Sequence, residues 1–251
     1  MQKLVYEKMK NIQSKHWWFA ARKEIIMDVF SRYCTKNAKK DNRILDAGCG
    51  MGVMLEALSK YGDVYGMDMS EISVNYCRAK VCVEGRENQI LQGTLPDDLP
   101  FENNFFDNIL ALDLLEHIED DMNAMKALYG MLKPKGNLLI TVPAFKTLWG
   151  YNDVVLKHYR RYVKKELINM CHEVGFKIKM CSYFNFWFFI PIWMVRKLKN
   201  LFKINKDDMG KTGEFGFFNE LCYNVFVSEK KHLRKKGFPF GVSIILVAVK
   251  K

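Results

Sequence analysis

Residues 44–52 read ILDAGCGMG, and few backbone arrangements satisfy that stretch. A short apolar strand runs from Arg43 into Asp46, glycines stand at 48, 50 and 52, and the run VMLEALSK begins at Val53. Glycine reaches left-handed backbone angles without a Cβ clash, so the spacing predicts a strand, a tight turn and a helix start. Such a turn leaves bare backbone for a ligand to lie against and aims helix N–H groups at it. A second acid, Asp68, closes the next apolar strand, VYGMD. An acid after the second strand of a nucleotide-binding βαβ unit is placed to accept hydrogen bonds from two ribose hydroxyls. The expectation is a nucleoside-bearing cofactor at the top of a parallel sheet.

The glycine spacing narrows the cofactor. Nicotinamide and flavin sites use G-x-G-x-x-G, whose third glycine allows close helix–strand packing; counted from Gly48, the sixth position here is Val53. A phosphate-binding P-loop needs G-K-[ST], and no Lys follows these glycines. The pattern D-x-G-x-G-x-G instead resembles the first motif of the class I S-adenosylmethionine (SAM)-dependent methyltransferases. Three later segments carry the same resemblance in order: GMDMS at 66–70, LPFENNFFDNILALDLLEHIED at 99–120 and GMLKPKGNLLITVP at 130–143. Within that family the chain is most similar to the type 11, ubiquinone/menaquinone methyltransferase-like superfamily. The pair HWWF-x-x-R and W-x-x-x-D-x-x-x-x-H-x-R-R-Y, with the ending F-P-F-G-V-S, resembles a bacterial and archaeal branch whose genes commonly accompany cell-surface polysaccharide and lipid-carrier glycosylation genes.

Strand and helix patterns alternate along the chain. Strands are expected at 43–47, 63–67, 89–92, 106–112 and 137–142, with helices near 53–60, 71–80 and 121–132. This βαβ order implies an α/β fold, a doubly wound and mostly parallel sheet. KKELINMCHEVG reads as a further helix with Gly175 as its C-cap, FKIKMCSYF as a sixth strand and SIILVAVKK, 243–251, as a seventh. The resemblance implies a seven-stranded Rossmann-like sheet whose last strand is antiparallel. Between strands six and seven lie residues 185–242, far too many for a hairpin loop. They hold the aromatic run FWFFIPIWMVRKLKNLFK and a second amphipathic stretch, FFNELCYNVFVSEKKHLRKKG. Three parts are expected: an N-terminal helical cap over 1–42, with Ser14 as a cap-like residue; a SAM-binding domain over 43–184 plus 243–251; and an inserted helical, aromatic and basic subdomain over 185–242.

Charge is divided unevenly. Residues 1–120 carry 15 Lys/Arg against 19 Asp/Glu, whereas residues 121–251 carry 24 against 9. The basic half suits an anionic acceptor, an anionic membrane surface or nucleic acid; a solvated lysine-rich surface accounts for it equally well. Nucleic acid is disfavoured, because no N-P-P-Y or RNA-module signature appears. The seven cysteines form no C-x-x-C pair, which fits reduced thiols in a cytoplasmic protein. MQKLVYEKMKN does not read as a secretory leader. No run reaches the ~18 apolar residues of a membrane span.

The resemblance implies roles for particular residues. Asp46, Gly48 and Gly50 would line the methionine end of SAM, Asp68 would hold the ribose, and Met69, Thr94 and Leu95 would contact the adenine. Many relatives have G-D where this chain has Gly93-Thr94, so Asp97 is the substitute for the acid at the adenine amine. Asp113 would face the cofactor, and Arg22 would pair with the methionyl carboxylate. His117 and His158 are the candidate catalytic histidines, although for His117 a structural or positioning role is the favoured reading over a general base. Trp17, from HWWF, would form part of a lid. Trp149, Tyr151, Arg160, Arg161 and Tyr162, after the fifth strand, would face the acceptor, the arginines as bidentate anion binders. Methyl transfer from a sulfonium requires no metal, and the His and carboxylate spacing shows no metal-ligand pattern, so none is expected. The implied activity is methylation of an anionic or lipid- or glycan-linked small molecule at the inner membrane face. Competing readings are a soluble O- or N-methyltransferase, with the insertion as lid or homodimer surface, and a non-enzymatic SAM- or nucleic-acid-binding module.

Overall fold

A computed structural model describes residues 16–35, 41–80, 89–202 and 216–251. Seven strands form one sheet: β1 (Arg43–Ala47), β2 (Asp63–Asp68), β3 (Ile90–Gln92), β4 (Phe106–Leu112), β5 (Leu132–Pro143), β6 (Phe176–Phe184) and β7 (Ser243–Lys250). Their order is β3-β2-β1-β4-β5-β7-β6. β1 to β5 pair in parallel and β7 runs antiparallel to both β5 and β6. The central strands are covered on both faces, which is why they read as continuous apolar runs such as ILAL and LLITV rather than as alternating patterns. The strand order reverses direction between β1 and β4, so the crevice beyond their carboxyl ends is where a ligand site is expected.

Most expected elements are present. Helices α1 (Trp17–Tyr33), α2 (Leu55–Leu58), α3 (Glu71–Lys80), α4 (Asp121–Met131), α5 (Tyr151–Val155) and α6 (Lys164–Val174) flank the sheet. Gly175 ends α6 in the left-handed region, at φ 107°. β5 starts at Leu132, earlier than its apolar pattern suggests, because Leu132 pairs with Phe106 before a register shift at Phe106/Asn108. Ser14 lies outside the described residues. The N-cap of α1 is His16, whose Nδ1 accepts from the Trp18 N–H at 3.2 Å.

The long stretch between β6 and β7 contains α7 (Phe189–Leu201), α8 (Gly216–Val227) and α9 (Glu229–Leu233). Its two ends are joined through Glu229, a buried carboxylate that accepts from the backbone N–H groups of Asn185 and Phe186, each at 2.7 Å, and it is fastened to the sheet where Phe238 N–H donates to Ser182 Oγ of β6 at 2.8 Å. It is fastened to α1 as well. Trp17 N–H donates to Asn219 Oδ1, the Trp17 ring packs on Phe188 and Phe226, and Glu24 is held by Tyr223 and Lys230. α1 buries Ala21, Ile25 and Val29 with Arg22, Ile26 and Phe30, two adjacent i, i+4 rows of one face.

Candidate functional site

The turn after β1 is held by its neighbour strand. Gly48 and Cys49 both donate their N–H to the Met67 carbonyl, at 2.7 and 3.0 Å, and Gly48, Gly50 and Gly52 all have positive φ. A Cβ at Gly48 would meet Leu114 Cδ1 at 2.8 Å, whereas a Cβ at Gly50 would meet nothing within 4 Å among the described residues. Gly48 is therefore a packing requirement and Gly50 faces open space. Asp68 stitches the turn to the start of α3: Oδ2 accepts from Gly50 N–H at 2.8 Å and Oδ1 from Ser70 N–H at 2.9 Å. Each oxygen keeps a further lone pair for a ligand.

This turn opens into a cavity of about 940 Å³, the size of a small-molecule site. Asp46, Gly48, Gly50, Asp68, Met69, Thr94, Leu95 and Asp97 line one end of it. Burial pushes the Asp46 carboxyl up to about 7, and the Asp68 charge adds to that. A buried acid pair of this kind is stabilised by a cationic ligand group. Across the cavity, Arg22 is 5% exposed. Its Nη2 donates to both oxygens of Asp113 at 2.6 Å and to Thr141 Oγ1 at 2.9 Å. Its buried Nη1 has no hydrogen-bond partner among the described residues. Asp113 is thus paired with Arg22, and the guanidinium retains donor capacity at the cavity wall.

The other end of the cavity is built around Asp153, which is 0% exposed. Its Oδ1 lies 2.9 Å from His158 Nδ1 and accepts from Arg161 Nε at 2.8 Å; its Oδ2 accepts from Gly150 N–H at 2.8 Å and from Arg161 Nη2 at 3.1 Å. Arg196, from α7, reaches the same oxygen at 3.4 Å and the Leu148 carbonyl. Burial alone would raise this carboxyl, but His158, Arg161 and the Gly150 N–H hold it down at about 2. Arg161, Arg196, His158, His117 and Glu116 all line the cavity. The rings of His117 and His158 meet edge to face, 4.6 Å between centroids. Burial, reinforced by His158, lowers His117 to about 4, so that ring is neutral at physiological pH.

Several candidates sit elsewhere. Arg160 Nη1 and the Tyr162 hydroxyl take opposite oxygens of Asp121, each at 2.8 Å, and fasten the first turn of α4. Trp17 packs on the insertion, and it is Trp18 and Phe19 that line the cavity, with Trp18 4.9 Å from the Arg22 guanidinium carbon. Adjacent helical residues point about 100° apart, so the HWWF pair divides between two tasks, and the sequence does not say which residue takes which. Trp149 and Tyr151 lie outside the cavity lining; the Trp149 carbonyl accepts from Asn200 of α7 at 3.0 Å. Glu116 and Asp153 stand inside quoted motifs, yet nothing in their spacing announces that both are buried. Arg196 is one of several basic residues in the insertion and carries no signal of its own.

A family profile described as a methyltransferase domain matches residues 18–179, well over half of the chain. The chain belongs to the SAM-dependent methyltransferase family. Among relatives of this methyltransferase, the ubiquinone biosynthesis O-methyltransferase of Aliivibrio fischeri (strain MJ11) is 27% identical over 100 residues, 39% of this chain and 43% of the relative. The demethylmenaquinone methyltransferase of Geobacillus kaustophilus (strain HTA426) is 30% identical over 128 residues, 49% of this chain and 55% of the relative. The methyltransferase chain thus spans about half the length of these curated relatives. The solved phosphoethanolamine N-methyltransferase 2 of Haemonchus contortus, in complex with S-adenosyl-L-methionine, shares the fold with a TM-score of 0.57 at 20% identity, over 90% of this chain and 52% of its own. Among the described residues no helix of the methyltransferase is long and apolar enough to cross a membrane.

Proposed function

We propose that this chain transfers a methyl group from SAM to a small, lipid-linked or anionic acceptor presented at the cytoplasmic face of a membrane. When bound, SAM supplies an electrophilic methyl group on a sulfonium. The residues present fit it. Arg22 Nη1, buried and unpartnered among the described residues, suits an α-carboxylate; Asp46, with its raised carboxyl, suits the adjacent ammonium; the spare lone pairs of Asp68 suit ribose hydroxyls; and Met69 and Leu95 offer apolar surface to a purine. Asp97 lines the same end, near Thr94, and can accept from an exocyclic amine. At the far end Asp153 neutralises one of the two guanidiniums of Arg161 and Arg196, leaving one positive charge for an anionic group of the acceptor.

The observation that carries the membrane part of the reading is α7. Its inner side places Arg196 in the cavity wall, while its outer side exposes Ile190, Met194, Leu198 and Leu201, one apolar stripe at i, i+4, i+8 and i+11. Trp193, Val195 and the basic Lys197 are exposed beside it. A helix with an apolar face and flanking cations lies flat in the interface of an anionic bilayer. The same helix that walls the acceptor end would then rest on the surface that delivers the acceptor. The names of the curated relatives support a small-molecule acceptor.

Two measurements test this. Labelled SAM incubated with the full chain and a lipid extract is expected to give a labelled lipid-phase product identifiable by mass spectrometry; label confined to water-soluble products refutes lipid linkage. The chain is expected to sediment with vesicles containing phosphatidylglycerol, and a Met194→Glu/Leu198→Glu variant to remain in the supernatant. A wild-type chain that ignores vesicles and instead forms a stable dimer, lost in the same variant, assigns the stripe to a second copy.

A further inference from the structure

The cavity contains a group of side chains that methyl transfer itself does not call for. Glu116 and His117 lie in a 3₁₀ turn after β4, and His158 follows α5; each offers a ligand atom, and these atoms lie within 4.8 Å of one another. His158 already has one ring nitrogen engaged: Nδ1 faces Asp153 Oδ1 at 2.9 Å, which leaves Nε2 free to ligate. A carboxylate or carbonyl behind an imidazole fixes its tautomer and presents the opposite nitrogen as a lone pair, the usual surroundings of a cation-ligating histidine. Glu116 adds an independent observation: it is 1% exposed, it lines the cavity, and its Oε2 has no hydrogen-bond partner among the described residues. A buried carboxylate oxygen without a partner is costly to maintain.

We propose that Glu116, His117 and His158 bind one divalent first-row transition cation on the cavity wall. Two imidazoles and one carboxylate suit zinc or iron(II) better than magnesium or calcium, which favour oxygen ligands. Tetrahedral bonds of about 2.1 Å place ligand atoms roughly 3.4 Å apart, so the trio closes by about 1.4 Å at most from its present spread, a movement that side-chain rotation supplies. Three guanidiniums line the cavity: Arg22 is paired with Asp113, Arg161 with Asp153, and Arg196, which reaches the same carboxylate at 3.4 Å, leaves one positive charge that the Glu116 carboxylate offsets. Three protein ligands leave positions open towards the cavity. On the reading that this cavity is a methyltransferase site, those positions select an acceptor with an oxygen donor next to the reacting atom, a hydroxyl or phenol, which the cation holds and makes more acidic.

The test uses the untagged 251-residue chain, stripped with chelator and dialysed against cobalt(II) or zinc. One cation per chain is expected by mass spectrometry of the metal content, with visible cobalt absorption bands of low-symmetry coordination. Glu116→Gln and His117→Asn should abolish both signals, Asp153→Asn should weaken cobalt binding about 10-fold or more through His158, and His172→Asn, on the exposed side of α6, should leave it unchanged. Circular dichroism checks folding, and S-adenosylhomocysteine titration of the same samples reports the donor site. A folded chain that binds S-adenosylhomocysteine but retains no cobalt overturns the cation site and leaves the methyltransferase reading standing. Stoichiometric cobalt that survives both Glu116→Gln and His117→Asn overturns it equally. Cobalt bound at the trio without S-adenosylhomocysteine binding would support the site and sink the reading of the acceptor.

Discussion

Replacing Asp153 with Asn should separate what the acceptor end contributes to stability from what it contributes to chemistry. The carboxyl sits at about 2 in the fold against an ordinary 3.8, and at about 1.36 kcal/mol per pKa unit its charge contributes roughly 2 kcal/mol to stability at neutral pH. The substitution also strands Arg161, which is 5% exposed, and breaking a buried pair from one side costs about 3–5 kcal/mol. We expect the Asn variant to lose about 3 kcal/mol by urea denaturation, with an unchanged m-value. A depressed carboxyl stabilises the fold above its unfolded pKa, so the wild type should shed this contribution only as the pH falls from about 4 to about 2, and the variant should lack that acid step. Arg161→Met in the Asn background should recover part of the loss, because the stranded charge goes with it. A loss below about 1 kcal/mol, or an acid step that persists in the variant, would refute the claim that Asp153 is the buried hub of this end.

Arg22→Met should weaken S-adenosylhomocysteine binding by about 10- to 100-fold, the range for losing a charge-assisted hydrogen bond; unchanged affinity by calorimetry would remove Arg22 from the donor site. Gly50→Ala should cost about 1–2 kcal/mol of backbone strain at its positive φ and lower cofactor affinity further, since its Cβ would enter open cavity space; Gly48→Ala should chiefly lower the melting temperature, because its Cβ collides with Leu114. Asp46, pushed up to about 7, is partly protonated near neutral pH, and a cationic ligand favours its ionised form. Affinity for S-adenosylhomocysteine should therefore rise from pH 6 to 8, with proton release visible in buffers of different ionisation enthalpy, and Asp46→Asn should flatten that dependence. Burying Met194 and Leu198 in a bilayer contributes roughly 2 kcal/mol each, so the double Glu variant should lose vesicle binding while its melting temperature stays unchanged.

The donor end was legible in the sequence because backbone makes it. A glycine at positive φ, an acid at a strand end and a parallel strand order are consequences of local spacing, and ILDAGCGMG, VYGMD and the strand pattern carry them without reference to anything distant. The acceptor end is a product of long-range assembly. Asp153, on α5, gathers groups from Gly150 just before that helix, from the segment after it and from α7, 43 residues along the chain, and whether Arg160 or Arg161 turns inward depends on Asp121 standing ready for one of them. Both arginines have the same chemistry and adjacent numbers; one lines the cavity and is bidentate to the buried Asp153, and the other clamps the start of α4. Trp17 and Trp18 divide in the same way, according to which side of α1 the insertion covers.

This asymmetry explains why spacing alone does not mark the trio of Glu116, His117 and His158. Metal-ligand motifs are recognisable when their ligands share one helix face or one turn, and here the third ligand follows the second by 41 positions, with α4, β5 and α5 between them. What marks the trio is the state of its atoms: a His158 ring fixed at Nδ1 by Asp153, and a Glu116 carboxylate oxygen with no partner among the described residues. A buried polar atom without a partner is a cost the fold does not need to bear, since Leu or Met would fill the same space at Glu116. Its retention in a cavity wall, backed by Asp153 through His158, is the kind of local conflict that a ligand resolves.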